Sequence, residues 1–143
     1  MKRILTVILV LLLMFSSVGY AEDIKVVINE NEVEFDVPPI IENNRTLVPM
    51  RKIFEGLGCD VEWLAESQTI IATKNSKIMA LKIGKNKIIS NDIETGETSV
   101  TEIDTAPIIY NNRTLVPVRV ISESLGCTVN WDGKTQTVII TTE

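Results

Sequence analysis

The sequence predicts an α+β fold in which antiparallel sheets curl around short helices, with two pseudo-symmetric repeats forming one domain. Three observations carry this. Pro39-Ile-Ile-Glu-Asn-Asn-Arg-Thr-Leu-Val-Pro-Met-Arg51 recurs 68 residues later as Pro107-Ile-Ile-Tyr-Asn-Asn-Arg-Thr-Leu-Val-Pro-Val-Arg119. Aligned without a gap, residues 39–73 and 107–141 are identical at 22 of 35 positions, which marks a tandem duplication. Each copy also alternates short β-branched runs with Asn-rich turns around a single apolar stripe of helical period.

The elements follow in order. Ile24–Ile28 and Glu32–Val37 read as strands around Asn29-Glu30-Asn31, a hairpin signal, and Pro38-Pro39 ends the second. Ile40-Ile41 and Arg45–Val48 flank Asn43-Asn44, and Asn tolerates the positive φ of tight turns. Pro49 suits a first helical position, where a missing N–H costs nothing. Met50, Ile53, Phe54 and Leu57 form one apolar stripe, and Gly58 is the expected left-handed stop. In the second copy the helix runs from Pro117 to Gly126, with Val118, Ile121 and Leu125 as its stripe. Helices of two to three turns are unstable alone, so both stripes must be buried on a sheet.

Two strands follow each helix. Asp60–Trp63 and Thr69–Thr73 are joined by residues 64–67, and Thr128–Trp131 and Thr135–Thr142 by the turn signal Asp132-Gly133. Lys77–Ile83 turns at Gly84-Lys85-Asn86 into Lys87–Ser90, which pairs across an enlarged loop with Thr98–Ile103. Repeat one spans about 24–83 and repeat two about 87–143. Neither buries enough surface alone, so residues 22–143 are read as one domain.

Residues 1–21 read as a signal peptide: Lys2 and Arg3, an apolar run from Ile4 to Phe15, then small residues at Gly19 and Ala21. Cleavage after Ala21 would leave no stable membrane anchor, since the run is shorter than a span of ~20 residues. It also leaves 12 basic and 19 acidic residues, a charge of −7 on residues 22–143. This acidity excludes a nucleic-acid footprint. The absence of histidine excludes imidazole catalysis and imidazole-bound metals, and two cysteines are too few for a four-thiolate site. The expected localisation is secreted, extracellular or at the cell surface.

The core R-T-L-V-P-x-R followed by L-G-x-x-V-x-W, present twice, resembles the bacterial copper amine oxidase N-terminal-like, or stalk, domain. The resemblance covers nearly all of residues 22–143. The family usually has Asn-Gly where this chain has Asn43-Asn44 and Asn111-Asn112, and often Ala in place of Cys59 and Cys127. Copy one also has Trp63-Leu64 in place of a Trp-Asp turn. The resemblance implies antiparallel sheet curled around helix and a non-catalytic accessory module of secreted and cell-surface proteins. It implies no cofactor: copper amine oxidation needs three histidines and a tyrosine-derived quinone, and the only tyrosine of residues 22–143 is Tyr110.

Several residues are candidates for a binding site. Arg51 and Glu55, like Arg119 and Glu123, are spaced i, i+4, which suits a surface ion pair of a few tenths of a kcal/mol. The sharper reading makes them, with Arg45 and Arg113, two related recognition patches, one per repeat. Trp63 and Trp131 are either half-buried sheet residues or a sugar-stacking platform. The acidic stretch from Asp92 to Asp104 matches no EF-hand spacing and reads as a solvated, mobile insertion. Cys59 and Cys127 occupy equivalent positions; export permits a disulfide, while their setting after Leu-Gly suits reduced, buried thiols.

The function expected is a secreted, non-enzymatic accessory or binding module whose partner is a cell-wall polymer or another extracellular protein. The alternative is a small secreted hydrolase using two carboxylates about 5 to 9.5 Å apart in a cleft.

Overall fold

The computed structural model describes residues 23–143; the signal-peptide expectation lies outside the described residues. The fold is mostly antiparallel sheet, curled, with two short helices. At its centre are the two R-T-L-V-P strands, β4 (Arg45–Pro49) and β11 (Arg113–Pro117), paired antiparallel with Val48 opposite Val116. Each is flanked on its outer side by a three-residue strand, β3 (Ile40–Glu42) or β10 (Ile108–Tyr110), giving the order β10-β11-β4-β3. The turns into β4 and β11 hold both central asparagines at positive φ, 48° and 62° at Asn43-Asn44 and 46° and 62° at Asn111-Asn112. That conformation suits the right-handed twist of a hairpin, and Asn adopts it at little cost.

The helices follow the central strands without a loop: α1 (Met50–Gly56) after β4 and α2 (Val118–Ser124) after β11. Each begins one residue later than the sequence suggests. Pro49 and Pro117 are held extended, with ψ of 121° and 112°, because they still pair in the central sheet opposite Leu115 and Leu47. Gly58 and Gly126 end the helices at φ +83° and +82°, where a Cβ would be strained. Met50, Ile53, Phe54 and Leu57 are all buried, as are Val118 and Ile121, whereas Leu125 is only partly so. Ser122 stands where copy one has Phe54; it is fully buried and satisfies its hydroxyl by donating to the Val118 carbonyl at 2.7 Å.

Two further sheets flank this centre. One has the order β5-β6-β7-β8-β9, from β5 (Asp60–Leu64), β6 (Thr69–Lys74), β7 (Lys77–Lys82), β8 (Lys87–Asp92) and β9 (Thr98–Glu102). The other has the order β12-β13-β1-β2, from β12 (Thr128–Asp132), β13 (Thr137–Thr141), β1 (Lys25–Ile28) and β2 (Asn31–Glu32). The β1–β13 pairing is parallel, the exception to the antiparallel expectation. These pairings exchange material between the halves. The N-terminal hairpin β1–β2 extends the sheet of the second motif copy, and β8–β9 extends that of the first. One apolar cluster runs under all of it, from Val26 through Phe54, Ile70 and Met79 to Ile121 and Ile140.

Two local expectations are corrected. Glu32–Val37 is not a strand: the ladder stops at Glu32, Val33 and Phe35 pack on the core, and Asp36 turns towards the second motif copy. The turn at Asp132-Gly133 is present but longer than expected: β12 runs to Asp132 and β13 starts only at Thr137. The Asp132 carboxylate accepts from the amides of Lys134 and Thr135, and the left-handed residue is Gln136 (φ 50°), as Gln68 is in copy one (φ 51°). The expected pairing of Lys87–Ser90 with Thr98–Ile103 is present, and the acidic stretch lies on this hairpin. Its turn is pinned by the Asp92 carboxylate, which accepts from the amides of Glu94 and Thr95, and Thr98–Glu102 forms β9.

Candidate functional site

The structure regroups the residues that the sequence singles out. Arg45 lies beside Arg119 and Trp131 of the second copy, whereas Arg113 lies beside Arg51 and Trp63 of the first. Two open grooves result, each built across the central sheet. One is lined by Arg45, Thr46, Val118, Arg119 and Trp131, continuing past Asp104 and Glu123. The other, of about 650 Å³, is lined by Arg113, Thr114, Met50, Arg51 and Trp63, with Asp36. Every residue lining the second groove has its counterpart at the 68-residue offset in the lining of the first, which also takes in Glu102, Glu123 and Val129. Lys52 in the second groove, where the first has Val120, is the main departure.

The arginine at the head of each groove is fixed by an aspartate from the other copy. Arg113 donates Nε to the Asp36 carboxylate at 2.9 Å and Nη2 to the same oxygen, and its Nη1 reaches the Asn112 carbonyl at 3.2 Å. Arg45 donates Nε and Nη2 to the two oxygens of Asp104 at 3.2 and 2.6 Å, and Nη1 to the Asn44 carbonyl. A fork-to-carboxylate contact fixes the guanidinium plane as well as its charge. The hydrogen bond from Arg113 holds the Asp36 carboxyl below the ordinary aspartate pKa, and Asp36 in turn raises that of Arg113. The sequence reading missed Asp36 and Asp104 as partners. Their signal was an aspartate nine residues before the arginine in both copies.

The helix pairs are present but unequal. Arg119 reaches Glu123 at 3.3 Å and also donates to the Val129 carbonyl at 3.0 Å, tying α2 to β12. Arg51 approaches Glu55 only at 3.7 Å. The tryptophans differ too. Trp63 is half-buried and packs on the core, whereas Trp131, at 44% exposure, is the more open of the two and lies outside the core cluster.

Cys59 and Cys127 are free thiols, both buried in the core cluster. Burial pushes both thiols above their ordinary pKa, with Lys74 opposing the shift in each. No three His, Cys, Asp or Glu side chains converge to hold a metal among the described residues. Together with the lack of histidine, this donor set does not fit copper. None of the described helices is long and apolar enough to cross a membrane.

A curled antiparallel sheet around two short helices, with open polar–aromatic grooves across its centre, defines a small sheet module. The chain matches the copper amine oxidase N-terminal domain over residues 27–140 and belongs to that family. The family's domain is the non-catalytic N-terminal module. No curated protein matches the chain.

Proposed function

We infer that this is a secreted, non-enzymatic binding module that engages a cell-wall polymer or another extracellular protein through its two grooves. The observation that supports this most is the shared lining: an anchored arginine, a threonine, a second arginine and a tryptophan in each. The N–H groups that Asp36 and Asp104 leave free on these arginines, and those of Arg51, can donate to a partner's carboxylates, and the indoles offer a stacking face. The two motif copies are then repeats about an approximate two-fold axis between Val48 and Val116, so the grooves are twins facing apart. A repetitive polymer could occupy both and gain avidity without strong single-site affinity. Because each groove takes residues from both copies, residues 22–143 act as one cooperative domain.

The hydrolase alternative lacks support. A glycosidase acid must be held protonated by a raised pKa, whereas the carboxyls with displaced values, Asp36 and Asp92, are lowered. Pull-down of residues 22–143 with purified cell walls and extracellular proteins tests the proposal. Saturable binding without release of reducing sugar ends is expected.

A further inference from the structure

The five-stranded sheet ends in an edge that differs from the others. At the two ends of the β8–β9 ladder, Asp92 N–H donates to the Glu97 carbonyl and Ile103 N–H to the Asn86 carbonyl. With Ile89 opposite Val100, the alternation of an antiparallel pair turns residues 97, 99, 101 and 103 towards β8. The amides and carbonyls of Thr98, Val100 and Glu102 therefore point away from the sheet. All five residues of β9 are exposed, and the strand carries neither lysine nor proline.

Exposed edges are normally blunted. Here β2 has two residues, and β3 and β10 have three each, starting one residue after a proline. β5 carries Asp60 and Glu62, and on β12 the Val129 carbonyl is already taken by Arg119. The β9 edge carries a single charge, Glu102, at its very end and is otherwise uncharged and unobstructed. It also borders an apolar row that crosses the outer sheet face in register, Ile71–Ala80–Ile89–Val100, ending with Ile89 39% and Val100 58% exposed.

We propose that β9 pairs antiparallel with β9 of a second copy of this chain, Val100 opposite Val100, joining the two sheets into one. The edge is self-complementary in this register. Each outward-facing residue meets an outward-facing residue, so donors and acceptors are matched on both strands. Glu102, the one charged residue of β9, meets Thr98 of the second copy. The two Glu102 carboxylates are left four residues apart along the ladder, roughly 13 Å, beyond the screening length of physiological salt. The apolar rows become continuous across the joint and shield both Val100 side chains. Both copies carry −7 over residues 22–143, so their mutual repulsion makes the dimer tighten as salt rises.

Sedimentation equilibrium of residues 22–143 over a protein and salt series tests this. The expected result is a mass rising from one copy to two with concentration, with the midpoint falling as salt increases. Val100→Pro removes an N–H that points away from β8, so it should block dimerisation and leave the protomer's ladder intact. Thr98→Lys places a charge on the same edge without touching the backbone and decides the matter should Val100→Pro fail to fold. Ile109→Lys, on the exposed β10 edge, is the control and should dimerise normally. A native mass of one copy at every concentration and salt overturns the proposal. So does dimerisation of Thr98→Lys equal to that of the native chain, or its loss in Ile109→Lys alone.

Discussion

Arg113 and Asp36 are 77 residues apart in sequence, yet they form a two-point ion pair that fastens one motif copy to the other. Arg45 and Asp104 repeat it in the opposite sense. Each pair closes the head of a groove, so anchoring the halves and orienting the groove arginines are one structural act.

This gives a pH prediction. The Asp36 pKa is depressed chiefly by the hydrogen bond from Arg113. The unfolded chain therefore binds the proton more readily than the folded one. The pair's contribution is present above the ordinary aspartate pKa and is lost as pH falls through the depressed value. Melting temperature followed from neutral to strongly acidic pH should drop in that window, and less steeply in Asp36→Asn. An identical profile in the variant would show that the pair contributes nothing.

The buried thiols predict the opposite limb. Desolvation raises both, so the folded state resists losing those protons. Stability is full below the ordinary thiol value of 9.0 and declines above it, as the unfolded thiols ionise first. Alkylation of Cys59 and Cys127 should accordingly be slow at neutral pH and follow unfolding in denaturant. Rapid labelling of the native protein would contradict their burial.

Core substitutions should rank by burial. Leu57→Ala should cost about 2 to 5 kcal/mol by chemical denaturation, because Leu57 is fully packed. Leu125→Ala should cost less, since its side chain is only partly buried. Gly58→Ala and Gly126→Ala should each cost about 1 to 2 kcal/mol from the left-handed backbone alone. Equal costs for the two leucines would mean that the helices are packed alike.

Most of the fold was legible because its signals are local. The Asn-Asn turns, the stripe Met50–Ile53–Phe54–Leu57 and the stops at Gly58 and Gly126 each state their geometry within a few residues. The pairings that cross the chain were not. Nothing around Ile24–Ile28 specifies a parallel partner at Thr137–Ile140, because strand propensity names no neighbour. The grooves were half legible for the same reason. Arg45, Arg51, Trp63 and their counterparts stood out by recurrence, but recurrence groups residues by copy, whereas the fold groups them across copies. Both tryptophans were legible as partly buried strand residues, but only the fold shows that Trp63 packs on the core while Trp131 stays outside it.

That regrouping changes how a groove should be disabled. Arg119 also holds β12 through the Val129 carbonyl, so Arg119→Glu should lower the melting temperature as well as any binding. Arg51 and Trp131 carry no comparable duty and sit in different grooves. Their single variants should fold normally and weaken binding, and together they should remove the avidity.

The most direct measurement is therefore a saturable pull-down of residues 22–143 on purified cell walls and extracellular proteins, native chain against Arg51→Glu with Trp131→Ala. The account predicts retention of the native chain and its loss in the double variant, which still unfolds cooperatively well above the assay temperature. Undiminished retention of the double variant, or no retention of the native chain on any of these targets, would contradict it.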